Sequence, residues 1–278
     1  MKKYIISYAS TGYYDTQKRL VKSIVDKDIK IVTYTDKWLK KKKFYRDNCF
    51  ILDQKRGAGY WLWKPFILLE TFKLMNEGDV VIYCDADAVV LQSLSPLYDL
   101  CIKHDSIMLF DNSVHLNKSW IKRDCYILMD ADTPDFYNAA QAMGGFIVLK
   151  KNIKSEKFLT EWLDYASDYR ISTDSENELG EPNLCEFIEH RHDQAILSIL
   201  RLKWKIPLFR DPSQFGNPYK MPEFRNSDDY LINGVYENKQ LKQNSPYSTL
   251  IDLREMQVSK NKFHKRVLNK IYSYINRC

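Results

Sequence analysis

No Cys-x-x-Cys pair occurs in this sequence, although it holds six cysteines, Cys49, Cys84, Cys101, Cys125, Cys185 and Cys278. Their spacing matches no zinc pattern. Several lie in apolar runs, where a free thiol behaves as a small hydrophobe, so a reducing compartment is the simplest expectation. No stretch approaches the roughly 20 apolar residues of a membrane span. The stretch Met1–Ala9 has a basic start, but its apolar part is too short and interrupted for a signal peptide. The expected location is cytoplasmic. No Gly-x-Gly-x-x-Gly and no Walker loop is present, which counts against dinucleotide-binding and P-loop classes. Excess charge is also small. A net charge of +6 over 278 residues permits an anionic substrate, an anionic membrane surface or nucleic acid, and selects none of them.

What is present is enough for a sizeable core: 45% of the residues are apolar, and the length suits one large domain or one domain with an appendage. Nineteen Tyr and six Trp suit stacking on bases or sugars, and equally suit a plain core.

The sequence is organised around Asp79-Val80-Val81-Ile82-Tyr83-Cys84-Asp85-Ala86-Asp87. A short apolar run of this kind reads as a strand buried on both faces. It runs into two carboxylates spaced i, i+2, which share a direction if the extended geometry persists. Like charges side by side repel unless a cation lies with them. Mg²⁺ and Mn²⁺ prefer carboxylate oxygens, and Mg²⁺ fills much of its shell with water and substrate phosphates. The stretch therefore reads as a metal–diphosphate site at the end of a central strand, against the plainer alternative of a solvated acidic turn.

Before it, Tyr4–Ala9, Thr16–Asp28 and Ile29–Tyr34 read as strand, helix and strand, a βαβ unit with parallel strands. Ligands bind such sheets at the carboxyl ends of the strands. That edge gathers Ser7, Tyr8, Ala9, Ser10, Thr35 and Asp36 with Asp85 and Asp87. The lysine run from Lys37 to Lys43 has the usual look of a solvated face. Phe50-Ile51-Leu52 reads as a short strand. Lys55-Arg56-Gly57-Ala58-Gly59-Tyr60-Trp61-Leu62-Trp63-Lys64-Pro65 then packs cations, glycines and aromatics ahead of a helix expected from Phe66 to Met75. A basic, glycine-bearing loop at a helix N-terminus suits phosphate oxygens. Its tryptophans either stack on a base or belong to the core.

Further on, Trp120–Met129 reads as a helix holding Asp124. The pair Gly144-Gly145 precedes the strand-like Phe146–Leu149 and implies close approach of a backbone to a ligand or another strand, or a bulge. Phe158–Tyr169 reads as a helix, and the acidic stretch 171–182 as a mobile loop. Glu189-His190-Arg191-His192-Asp193-Gln194 opens an apolar helix. Asp193 sits where the helix dipole stabilises an anion. It is either a functional carboxylate or a cap, and the histidines are either metal ligands or solvated. From residue 260, Phe263, Val267, Leu268, Ile271, Tyr274 and Ile275 recur at helical spacing among cations. This basic amphipathic helix suits an anionic membrane surface or a dock on the domain.

In this order the motifs resemble those of GT-A glycosyltransferases, over about residues 3–209, and more distantly glycosyltransferase family 8. The stretch Arg56–Pro65 is similar to that of bacterial transferases that build capsule or lipopolysaccharide O-antigen chains. The resemblance implies an α/β fold with a mixed, mostly parallel central sheet flanked by helices. It implies a catalytic domain over 1–210 and an extension over 211–278 that completes the site. It further implies a nucleotide-sugar donor, a UDP-sugar, with Mn²⁺ or Mg²⁺, and a glycan or lipid-linked glycan acceptor. Contact with the inner face of an anionic membrane is compatible with it, and no nucleic acid partner is expected. Asp85-Ala86-Asp87 matches the family's Asp-x-Asp. Ser7, Tyr8, Ala9 and Asp36 would surround the nucleoside. Arg56, Tyr60, Trp63 and Lys64 would meet the diphosphate and shape the donor pocket, and Gly144 and Gly145 would approach the sugar. Asp193-Gln194 is similar to the Asp-Gln of family 8, with Asp124 as a second catalytic candidate. That family's C-terminal His-x-x-Gly-x-x-Lys-Pro-Trp is absent here. His264 is the candidate for its metal-ligating histidine, and both retention and inversion of the anomeric centre stay open. The rival classes are a non-catalytic nucleotide- or glycan-binding module and a nucleotidyltransferase.

Overall fold

The protein is described by a computed structural model covering residues 1–104, 106–216 and 244–253. Its centre is a six-stranded sheet of β1 (Lys3–Ala9), β2 (Ile29–Thr35), β3 (Val80–Cys84), β5 (Ile107–Leu116), β6 (Ala140–Lys150) and β7 (Leu208–Phe209), in the order β2-β1-β3-β6-β5-β7. β2, β1 and β3 run parallel, β6 is antiparallel to both its neighbours, and β7 is parallel to β5. This is the mixed, mostly parallel sheet expected, flanked by helices. β4 (Val89–Val90) and β8 (Ile251–Asp252) form a separate antiparallel pair. Among the described residues, no helix is long and apolar enough to cross a membrane.

Alternation along β3 builds two cores. Val81 and Tyr83 face one side with Tyr4, Ile6 and Tyr8, under the helices Trp63–Phe72, Ile153–Ala166 and Asp193–Lys203. Val80, Ile82 and Cys84 face the other side with Ile5, against Leu20 of the helix Tyr14–Ser23 and Leu97 of the helix Ser95–Lys103. All five residues of β3 are fully buried, which is why that strand carries no polar alternation. Tyr247, Leu250, Ile251 and Leu253 join the second core, so the described part of the extension packs beside the segment that follows Asp87. The helix Ile153–Ala166 starts at a capping box, in which Asn152 Oδ1 accepts from Ser155 N at 2.9 Å.

Several local expectations change. Phe50–Leu52 is part of a helical turn, Cys49–Leu52. Phe50 is exposed while Ile51 and Leu52 are both buried, a pattern strand alternation would not produce, and three apolar residues were too few to separate the two periods. The helix expected over Trp120–Met129 is two short ones, Asn117–Trp120 and Arg123–Leu128. The helix expected over Phe158–Tyr169 begins at Ile153 and ends at Ala166. The basic amphipathic segment from residue 260, with His264, lies outside the described residues.

Candidate active site

The parallel register of β1, β2 and β3 brings their carboxyl ends to one edge, where the site is built. β3 ends at Cys84, and Asp85 N still donates to Gly145 O at 2.9 Å. Extended geometry then stops: Ala88 N donates back to Asp85 O at 3.2 Å. Asp85 and Asp87 therefore sit on a turn, and their relation is not the strand alternation expected. The Asp87 carbonyl accepts from Arg19 at 3.4 Å.

Lys64 is the centre of this edge. Its side chain is buried, and its ammonium donates to Asp193 Oδ2 at 2.6 Å and to Gly144 O at 2.9 Å, with Asp85 Oδ1 at 3.6 Å. Burial alone would lower the ammonium's pKa, but Asp193 and Asp85 outweigh it and move it upward. The rings of Trp61, Trp63 and Tyr83 surround the cation at 5.4 to 5.8 Å. The Tyr83 hydroxyl donates to Asp85 Oδ1. Asp193 is the first residue of its helix. Burial pushes its carboxyl up to about 6, and Lys64 holds it from going higher.

The glycine pair is explained by space. A Cβ on Gly144 would lie 2.9 Å from Asp193 Oδ2, and one on Gly145 would lie 2.9 Å from Asp85 Oδ2. The close approach expected of them is to the protein's own two carboxylates. Gly144 is also held at both ends of its peptide: its carbonyl takes Lys64, and its N–H meets Gln194 Oε1 at 3.4 Å. Gln194 in turn donates to Gln141 Oε1, and Gln141 is fully buried.

Lys64 reaches this position through an unusual loop. Gly57, Ala58, Gly59, Tyr60 and Trp61 all have positive φ, between 50° and 96°. This is a single left-handed turn, closed by Trp61 N donating to Gly57 O at 3.2 Å. Left-handed geometry costs roughly 1–2 kcal/mol for each residue with a side chain, and strain of this kind collects at functional sites. The turn is fixed from both sides. A Cβ on Gly59 would meet Leu52 Cα at 2.5 Å, and one on Gly57 would meet the Trp61 indole at 2.3 Å. Trp63 Nε1 donates to Gly57 O at 3.0 Å, and its ring stacks on Tyr8 at 4.0 Å. Trp63 is thus a core aromatic. Trp61 stacks on His192 at 5.5 Å, and Tyr60 lies 4.9 Å from the same imidazole.

The histidines are buried and not solvated. His190 Nδ1 accepts from Lys122 N at 3.3 Å, so its Nε2–H donates to Ile171 O at 2.7 Å. His192 Nδ1 lies 3.0 Å from Ser172 O and donates to it. Burial drives His190 down to about 3 and His192 well below its usual value, so both are neutral. They tie the start of the Asp193 helix to the segment 171–172.

Four other expected residues have different surroundings. Arg56 pairs with Asp174, at 2.9 Å, and with Glu189, and so spans two carboxylates outside the Lys64 cluster. Asp124 is fully buried, and its carboxylate accepts from Glu178 N at 2.6 Å and Leu179 N at 3.4 Å. It pins the acidic stretch rather than joining Asp85 and Asp193. Lys122 fastens the same stretch at Ser175, so the loop expected to be mobile is tied at several points. Ser7 and Ala9 are buried in β1. Tyr8 and Asp36 do share the edge. Burial, then Asp36, raises the Tyr8 phenol, while Asp36 accepts from Tyr14, from Thr11 at 3.0 Å and from Lys37 N at 3.0 Å. Among the residues that the motifs did not single out, Gln141 and Tyr83 belong to the site. Tyr83 could have been found, since i, i+2 spacing on a strand puts it on the face of Asp85.

Among the described residues no group of three His, Cys, Asp or Glu gathers as a metal cluster. Asp85 and Asp87 offer two carboxylates on one turn. That donor set fits a hard divalent ion that takes one or two protein carboxylates and completes its shell from phosphate and water.

No family model and no curated protein matches the chain. Among solved structures it is similar to mouse xyloside xylosyltransferase 1, at 9% identity over 91% of this chain and 97% of that one, with a TM-score of 0.47. It is similar to the galactosyltransferase LgtC in complex with donor and acceptor sugar analogs, at 14% identity over 90% and 86%, with a TM-score of 0.49. The bifunctional glycosyltransferase WbbM aligns at 12% identity over 88% of this chain and 52% of that one, with a TM-score of 0.48. These neighbours are glycosyltransferases, the class that the motifs resemble. At such values the likeness assigns no substrate and no residue role, and the functional reading rests on the side chains.

Proposed function

We propose that this chain is a metal-dependent glycosyltransferase that moves a sugar from a nucleotide-sugar, a UDP-sugar, to a growing surface polysaccharide or lipid-linked glycan on the cytoplasmic side of a membrane. The observation that carries the reading is the bridge of buried Lys64 and Asp193 with half-buried Asp85 at the carboxyl edge of the sheet, beside the turn that holds Asp87. Buried charges without a structural partner to stabilise are expensive, and strongly perturbed groups gathered at a strand edge are the mark of a reacting site.

Each residue then has a task. Asp85 and Asp87 would hold Mn²⁺ or Mg²⁺, which when bound neutralises charge developing on the leaving diphosphate. Lys64 fixes the directions of Asp85 and Asp193 and adds a positive charge beside the diphosphate. Asp193 has Oδ2 committed to that ammonium, so we read it as a fixed anion that steadies positive charge on the sugar, rather than as the acceptor's base. Gln194, held by Gln141 and Gly144, presents an amide next to the same sugar. Tyr8 and Asp36 border the nucleoside, and the described extension, packed beside β4, closes the site's flank.

The test is a donor screen. The chain is incubated with Mn²⁺ and a panel of UDP-, GDP- and CMP-sugars, and nucleotide release is followed. Metal-dependent release from one UDP-sugar, lost in Asp85→Asn/Asp87→Asn, is the expected result. Metal-dependent nucleotide binding without turnover would instead favour a binding module. Diphosphate release from a nucleoside triphosphate would favour a nucleotidyltransferase.

A further inference from the structure

Between β2 and the left-handed turn, residues 37–55 hold seven basic residues and two acidic ones. They fold as three short helices, Asp36–Leu39, Lys43–Asp47 and Cys49–Leu52. The segment is anchored from beneath: Leu39, Ile51 and Leu52 are buried, Phe44 stacks on Phe66 at 4.0 Å, and Trp38 lies 6.0 Å from the same ring. With the apolar residues turned inward, Lys37, Lys40, Lys41, Lys43 and Arg46 are all exposed. The only acidic side chain paired with any of these five is Asp47, with Lys43 at 2.6 Å, among the described residues. That pair is solvent-exposed and leaves the surface strongly positive. Phe50, in the same segment, has 58% of its surface exposed, and its ring meets Tyr169 edge-on at 5.5 Å.

The placement matters as much as the charge. The segment begins where β2 ends and finishes at Arg56, the residue before the turn that delivers Lys64. Asp36, immediately before the segment, is bonded to Thr11 and Tyr14 from the loop and helix that follow β1. The cationic shelf therefore borders the edge on which Asp85 lies. Exposed cations and an exposed aromatic in one segment are the composition of a surface that rests on an anionic bilayer: the cations meet lipid phosphates, and the ring enters the headgroup boundary.

We propose that this shelf docks the protein on an anionic lipid bilayer, bringing the edge of the sheet that holds the site to the membrane. The inference stands on charge and exposure, and binding can be read without turnover. The experiment is co-sedimentation of the full chain with vesicles of phosphatidylcholine alone and with phosphatidylglycerol added. The comparison is with Lys40→Ser/Lys41→Ser/Lys43→Ser/Arg46→Ser and, separately, Phe50→Ser. The wild type should partition onto the phosphatidylglycerol vesicles only, and salt should weaken it. The fourfold variant should lose about fivefold in partitioning for each cation removed, with unchanged circular dichroism and unchanged donor hydrolysis. Phe50→Ser should weaken binding without altering its salt dependence. Three results would overturn the proposal: no partitioning of the wild type, undiminished partitioning of the fourfold variant, or Phe50→Ser binding that equals wild type while soluble polyglutamate competes fully. The second would assign docking to cations elsewhere in the chain, and the third would assign the shelf to a soluble polyanion.

Discussion

Lys64 and Asp193 lie 129 positions apart in the chain, and their side chains meet at 2.6 Å with both buried. Neither would be stable there alone. The ammonium donates to Asp193 and to the Gly144 carbonyl, and Asp85 at 3.6 Å supplies a second counter-charge without a hydrogen bond.

Removing the cation should therefore be worse than removing the pair. Lys64→Met leaves Asp85 and Asp193 facing each other without compensation, and it should lower unfolding free energy by roughly 3–5 kcal/mol. Adding Asp193→Asn to that variant should restore part of the loss, since the second change removes an uncompensated buried charge. Urea unfolding of the wild type, the two single variants and the double variant closes the cycle. Additive losses would mean that the two side chains do not interact in solution as they do here.

Asp193 also sets a pH dependence. Its folded carboxyl titrates at about 6 and its ordinary value is 3.8. The folded state then binds the proton more tightly than the unfolded state. This group's contribution to stability is greatest below about pH 4, falls as pH rises from 4 to 6, and is constant above, with a total change on the order of 2–3 kcal/mol. Asp193→Asn should remove that slope from the stability profile. Donor hydrolysis should have the opposite trend, rising through pH 6 as the anion forms. A hydrolysis rate flat from pH 5 to 7 would remove Asp193 from the role of anion beside the sugar.

How much of this was legible depends on how local each signal is. The apolar run into Asp85 and Asp87 is contiguous, so strand, edge and carboxylates could be read together. Gly144 and Gly145 could be read as a close approach, but not as an approach to Asp193 and Asp85, because the partners come from other elements. Lys64 was recognisable as a cation near the site. Its burial between two carboxylates was not, because that needs the left-handed turn, and Ala58, Tyr60 and Trp61 are residue types that rarely adopt that geometry. Asp124 shows the reverse limit. A carboxylate in a helical first turn has the same local pattern whether it serves chemistry or, as here, accepts two N–H groups from a distant loop.

The glycine pair offers a test of spacing. Gly145→Ala places a methyl 2.9 Å from Asp85 Oδ2, and a few tenths of an ångström of retreat would turn that carboxylate. The expected stability loss is modest, about 1–3 kcal/mol, while metal-dependent donor hydrolysis should fall by far more than that loss explains. Gly144→Ala should act in the same way through Asp193. Thermal unfolding and hydrolysis of the same preparations separate the two effects. Full activity in both variants would leave the glycines without a role at the site.

Gln141 should be felt through Gln194. Gln141→Leu removes the acceptor of the Gln194 amide and frees it to rotate away from Gly144. Turnover should drop with little change in KM for the donor, and Gln141→Glu, which keeps an acceptor oxygen at that position, should recover part of it. A change confined to stability, equal in the two variants, would reduce Gln141 to a packing residue.

The left-handed turn makes a prediction in the direction of greater stability. Ala58 has φ 50° and ψ 49°, a geometry in which a Cβ is penalised and glycine is not. Ala58→Gly should therefore stabilise the chain, by up to about 1 kcal/mol after the larger unfolded-state entropy of glycine is subtracted. Gly57→Ala should do the reverse by more, because its Cβ would meet the Trp61 indole at 2.3 Å. If the turn's strain serves to hold Lys64, then Gly57→Ala should lose donor hydrolysis together with stability, while Ala58→Gly keeps both. Chemical denaturation midpoints measured beside hydrolysis rates decide it. A destabilised Ala58→Gly would mean that the chain does not take this left-handed path in solution, and the route by which Lys64 enters the cluster would have to be different.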